Sequence, residues 1–195
     1  MMLMGILELG VSQATVSRTV DRVVNSIVAQ SNEWIKFPTI NHELMEAKRI
    51  WSSMYKFPTA IGVIDCTHIG ILKPNRHGDE YINRKGKPTL NVQATCDASL
   101  HVSWPGSVHD SRIWRNSETR SQLISKANVV LLGDDGYGIE PYLMTPFRNP
   151  TPGAEINYKK LLKQKKVLID RCFGQLKRRF PILEYTLIET NMPIV

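Results

Sequence analysis

The sequence predicts an α/β fold: a mixed sheet flanked by helices, preceded by a partial helix-turn-helix. Three observations predict it. Ala60–Leu72 reads AIGVIDCTHIGIL, an apolar, β-branched run of the kind that forms a buried strand. Shorter strand candidates follow it and alternate with helical segments, the pattern of a mixed α/β sheet. Tyr158–Phe180 then spaces Leu161, Leu162, Val167, Leu168, Phe173, Leu176 and Phe180 as a helix with one core face would.

A chain of 195 residues holds one full domain, or one with a small appendage. With 42% hydrophobic and 22% charged residues it can form a core, and disorder is not the default. Its apolar runs, such as Val129–Leu132, are too short to span a bilayer. The N-terminal MMLMGILELG has no basic residue ahead of its apolar run and contains Glu8, unlike a signal peptide. Cys66, Cys96 and Cys172 are odd in number, far apart and without a C-x-x-C pair. That pattern fits a reducing compartment and no structural zinc site.

In chain order, residues 1–38 read as a helical segment. Ser12 caps a helix whose apolar positions are Val16, Val20, Val23, Val24, Ile27 and Val28. A short helix at Ile6–Leu9, closed by Gly10, would complete a helix-turn-helix, with Gln13, Thr15, Ser17 and Arg18 presented. A plain helical hairpin fits the same residues. An amphipathic stretch around Leu44–Tyr55 leads into the strand at Ala60. Thr89–Thr95 and His101–Trp104 are the next strands, the latter ended by Pro105-Gly106. Asp110–Lys126 is expected to be one helix, and Val129–Leu132 a strand closed by Gly133-Asp134-Asp135-Gly136.

The basic excess sits in one place. Lys159, Lys160, Lys163, Lys165, Lys166, Arg171, Lys177, Arg178 and Arg179 hold nine of the 25 Lys and Arg residues, and Asp170 is the only acid among them. A solvated helix face would explain such a run, and a polyanion-binding surface would explain it too. Against this stands a set of acids in apolar settings. Asp65 lies mid-strand, where an unpaired carboxylate is costly. Asp134 ends an apolar strand, Asp110 follows His109 in a turn-rich segment, and Asp170 follows Val167-Leu168-Ile169. Asp134, Asp110 and Asp170 each have a plain structural reading, as a turn former, a helix cap and a surface acid, whereas mid-strand burial leaves Asp65 few such readings. Converging carboxylates need a cation, and hard oxygen donors with open positions favour Mg²⁺ or Mn²⁺. Two such ions activate a water or a 3′-hydroxyl and stabilise the leaving oxygen of a phosphodiester.

The strings GVIDCTHIGI, WPGSVHDSRIWRNS, LLGDDGYGIEPYLMTPF and VLIDRCFGQLKRRFPIL, in this order across residues 57–185, resemble the DDE domain of PIF/Harbinger transposases and of Harbinger transposase-derived nucleases. The resemblance implies an RNase H-like fold over 57–195 and a divalent-metal-dependent nuclease that hydrolyses DNA phosphodiesters. By motif it implies catalytic Asp65, Asp134 and Asp170, with Asp110 as a further metal ligand and His109 nearby. Lys165, Lys166, Lys177, Arg178 and Arg179 are the expected DNA contacts. A Myb/SANT-like DNA-binding partner and a nuclear location are also implied. Three departures stand out: Asp170 replaces the usual Glu, the connection at Ala98–His101 is shortened, and the ends resemble those of a truncated copy. The shortened connection is expected to change the register of the strand leading to Asp110. Together they predict weakened activity. The alternative is a catalytically inactive transposon-derived relic that binds DNA or protein.

Overall fold

The computed structural model describes residues 10–34, 36–96 and 99–184. The chain divides into two units, residues 1–36 and 37–195. In the first, helix α1 (Gln13–Trp34) begins where Ser12 Oγ accepts the Thr15 N–H at 3.2 Å. That is the cap expected from the sequence. The helix expected before Gly10, and with it the helix-turn-helix, lies outside the described residues.

The second unit opens with α2 (Asn41–Tyr55), which buries Leu44 and Trp51 and ends at Lys56 in the left-handed region, φ 61°. The sheet follows: β1 (Ala60–Gly70), β2 (Thr89–Cys96), β3 (Ser99–Pro105), β4 (Val130–Leu132) and β5 (Leu143–Met144). Its order is β3-β2-β1-β4-β5. β1, β2 and β3 pair antiparallel, whereas β4 and β5 run parallel to β1. This is the RNase H-like arrangement that the motifs implied. β5 has no counterpart in the sequence reading, because two residues give no periodicity to read. β3 carries a register shift opposite Val92–Ala94.

Two apolar clusters form the core. One joins Ile61, Ile64 and Leu131 to Leu44, Trp114 and Leu123. The other joins Ala60, Val63, Val130 and Leu132 to Trp51, Leu162 and Ile169. β4 alternates cleanly between them, whereas β1 slips phase at an irregularity between Ala60 and Gly62. Gly62 is needed there, since a Cβ would stand 2.8 Å from the Cys96 carbonyl oxygen.

The single helix expected at Asp110–Lys126 is two helices, α3 (Asp110–Arg115) and α4 (Glu118–Ile124). Ser117 makes the break. Its Oγ accepts the Arg120 N–H at 3.2 Å and donates to the Trp114 carbonyl at 2.8 Å, so one buried hydroxyl ends one helix and caps the next. Ser117→Ala is expected to cost about 1 kcal/mol, read as a lower midpoint in urea unfolding.

The last long helix, α5 (Ala154–Arg179), starts a turn earlier than expected, with the Glu155 carboxylate accepting the Thr151 N–H at 2.7 Å. Its inward face also differs from the expected one. Leu162 and Ile169 are buried, while Leu161, Val167 and Phe180 are exposed. Among the described residues, no helix is long and apolar enough to cross a membrane.

Candidate metal centre

The parallel pairing of β1 and β4 builds the site. Val63 stands opposite Leu132, and both belong to the cluster packed against α5. Two residues further along each strand direction come Asp65 and Asp134, so the alternation that buries Val63 and Leu132 aims both carboxylates at α5. Asp65 is the last residue of the buried part of β1, and only 7% of it is exposed. The carboxyl end of adjacent parallel strands is where α/β proteins place their ligands.

Asp110, the first residue of α3, completes a group. Asp65, Asp110 and Asp134 each offer a carboxylate oxygen, and these oxygens lie within 4.8 Å of one another. The neighbours hold the group in place. Asp65 Oδ1 accepts the Cys66 N–H at 2.8 Å, and Asp134 Oδ1 accepts the Gly136 N–H at 2.9 Å. Buried Asn91 donates through Nδ2 to Asp110 Oδ1 at 2.8 Å and to the Val108 carbonyl at 3.0 Å. Gly136 leaves room for the acids: a Cβ there would crowd them, 3.0 Å from Asp134 Oδ1 and 3.4 Å from Asp110 Oδ2. Beside the acids, the Cys66 thiol and the Tyr137 hydroxyl are 3.2 Å apart. Burial pushes both above their ordinary ranges, so they stay neutral and add no charge.

A cation already stands among the acids. Lys166 Nζ, on α5, lies 2.8 Å from Asp134 Oδ2 and 3.3 Å from Asp65 Oδ2. Burial works against its ammonium, but the hydrogen bond to Asp134 and the charge of Asp65 outweigh it, and Lys166 titrates above the usual lysine range. For Asp65 the balance goes the other way. Burial raises its carboxyl to about 6 despite the pull of Lys166.

The structure therefore brings Asp65, Asp110 and Asp134 together. Asp170 is exposed on α5 and stands outside this group; the residue one turn before it, Lys166, reaches the acids instead. Lys166 is an ion-pair partner in the site rather than part of an open basic face. Lys165 lies over the Tyr55 ring, 5.2 Å from its centroid. Lys177 donates to the His68 carbonyl at 3.0 Å, while Arg178 and Arg179 are exposed. His109 caps α3, its Nδ1 accepting the Ser111 N–H at 3.3 Å.

Sequence reasoning missed Asn91 and Gly136. Two amides two residues apart in a strand, Asn91 and Gln93, were the available signal, because same-face buried amides need partners.

The residues fit a hard divalent cation. The donors are all carboxylate oxygens, they converge, and an ammonium occupies the position where positive charge is needed.

The family described as DDE superfamily endonuclease matches residues 64–194. The protein named "Putative nuclease HARBI1" is 32% identical over 183 residues in Bos taurus, 31% in Homo sapiens and 28% in Xenopus laevis. These alignments cover 90% of this chain but only 52–53% of each relative, so the chain spans about half the length of the curated relatives it matches. No solved structure gives a significant match. With its four motifs, its sheet order and its converging acids, the chain belongs to the DDE superfamily endonuclease family.

Proposed function

We propose that this chain is the catalytic part of a nuclease that hydrolyses DNA phosphodiester bonds with Mg²⁺ or Mn²⁺. The observation that carries the reading is the meeting of three carboxylates, from β1, the end of β4 and the start of α3, within 4.8 Å. Asp65, Asp110 and Asp134 would hold the metal, which supplies charge stabilisation and an activated water or 3′-hydroxyl. Asn91 and the Gly136 amide orient the acids, and neutral Cys66 and Tyr137 line the site without competing for charge. Asp170 is proposed as a further ligand, because it follows Lys166 by one turn on the helix that already reaches the site. A metal taking the place of the Lys166 ammonium beside Asp65 and Asp134 would free that ammonium for a DNA phosphate.

Nicking of supercoiled plasmid tests this. Nicking should require Mg²⁺ or Mn²⁺, stop with a chelator, and disappear in Asp65→Asn and Asp134→Asn. Nicking that survives those substitutions overturns the reading. One observation favours a non-catalytic reading, in which the protein only binds DNA: Lys166 already satisfies two of the acids. Tight binding without nicking at any metal concentration would establish it.

For either reading, DNA affinity is expected to fall with salt through counterion release. Because Lys177 is partly engaged by the His68 carbonyl, Arg178 and Arg179 carry most of the effect. Replacing all three residues by Ala should flatten the log K against log salt slope by about two units. Fluorescence anisotropy at several salt concentrations measures it, and an unchanged slope would make this end of α5 a solvated face only.

A further inference from the structure

We propose that Cys96 and Cys172 form a thiol-oxidation site, closing reversibly into an intramolecular disulfide that ties β2 to α5. The two residues are 76 apart in sequence, yet their sulfurs stand 2.8 Å from each other. Neither is in a disulfide. A disulfide bond is about 2.05 Å long, so the sulfurs need to approach by less than 1 Å.

The surroundings hold them in that position. Cys96 is the last residue of β2, opposite Val63 of β1, and packs against the apolar cluster under α5. Cys172 lies between Ile169, which is buried in that cluster, and Phe173, which packs on it. Both sulfurs therefore extend from backbone fixed by the core. Cys172 is exposed, so a small oxidant reaches it.

The third cysteine makes the contrast. Cys66 is hydrogen bonded to Tyr137, and burial keeps its thiol protonated. Cys66 has Tyr137 as its neighbour, whereas Cys96 and Cys172 have each other. The odd cysteine count then resolves into one close pair and one half-buried thiol beside Tyr137.

A glutathione-type disulfide is the co-reactant. The Cys172 thiolate attacks one of its sulfurs, a protein–glutathione disulfide forms, and one glutathione thiolate leaves. The Cys96 thiolate then attacks the Cys172 sulfur, the protein–glutathione bond breaks, and a second glutathione leaves. The protein loses two protons and two electrons, and the co-reactant gains both. The bond would restrain the part of α5 that carries Asp170, two residues before Cys172, and it does not depend on the metal reading.

The test equilibrates the full chain with graded ratios of reduced and oxidised glutathione, quenches it with acid, and counts alkylatable thiols after unfolding by mass spectrometry. The expected result is a monomer lighter by two hydrogens, with one alkylatable thiol at Cys66 and a Cys96–Cys172 linkage in the digest. Cys66→Ser should form the same Cys96–Cys172 bond and leave no alkylatable thiol. Cys96→Ser and Cys172→Ser should yield no internal bond. Closing so long a loop should raise the melting temperature by about 10 °C, reversed by dithiothreitol. Three alkylatable thiols at every ratio, mixed glutathione disulfides alone, or linkages through Cys66 or between chains would each overturn the proposal.

Discussion

Lys166→Met lowers the stability of the metal-free protein and tightens its hold on divalent cations. Three carboxylates within 4.8 Å repel one another, and Lys166 opposes this from 2.8 and 3.3 Å. At an effective dielectric constant near 20, each unit-charge repulsion at such a distance is about 3 kcal/mol. Methionine keeps the packing of the lysine stem and removes the charge. Because the Lys166 side chain is 36% exposed, the loss is smaller than for a fully buried pair, about 2 kcal/mol. A cation that must displace an ammonium from the wild type meets empty carboxylates in the variant. Mn²⁺ affinity by titration calorimetry should therefore rise tenfold or more, and Mn²⁺ should raise the melting temperature more in the variant. If Mn²⁺ binds the variant more weakly, Lys166 positions the acids rather than competing for them. If neither protein binds it, the metal reading fails.

Asp65 should make the metal-free protein less stable as pH rises from about 4 to about 6. Its carboxyl is raised from an ordinary value of 3.8 to about 6, chiefly by burial. Across that window the folded protein keeps a proton that the unfolded chain has already released. Stability falls wherever the folded state binds more protons. A shift of about two units corresponds to about 3 kcal/mol, all of it lost by pH 7. Asparagine cannot titrate, so Asp65→Asn removes this slope. Urea unfolding at pH 4 and pH 7 should show the variant improving relative to wild type by about 3 kcal/mol. Parallel pH profiles would mean that Asp65 is ionised throughout.

Much of this site was legible because burial and charge conflict visibly in a sequence. A carboxylate inside AIGVIDCTHIGIL has few uses other than a site, and Asp65 is where that reading placed it. Asp134 was legible through its motif rather than its setting, because GDDG after an apolar run alone reads as a tight turn. Lys166 was not, because a basic residue within a basic run carries no label of its own. Its signal was phase: Leu162, Lys166, Ile169 and Phe173 are spaced by four, three and four, so the lysine interrupts the apolar stripe that faces the sheet. Reading the leucines and valines as the core face obscured that stripe and left Ile169 out of it. The break at Ser117 was hidden too, since a serine within helical spacing signals a cap only once the preceding turn is known to end.

Pairing Val63 with Leu132 frees the intervening chain from any role in setting the distance between Asp65 and Asp134. Insertions in the segment between β1 and β2, or before β4, leave both carboxylates where they are. A deletion of one residue between Leu132 and Asp134 would turn that side chain to the opposite face of the sheet and remove it from the group. Mutational scanning should therefore find length tolerated in the loops between the two acids, and forbidden within the strands and α3, which carry Asn91 and Asp110, and over the few residues that carry each acid out of its strand.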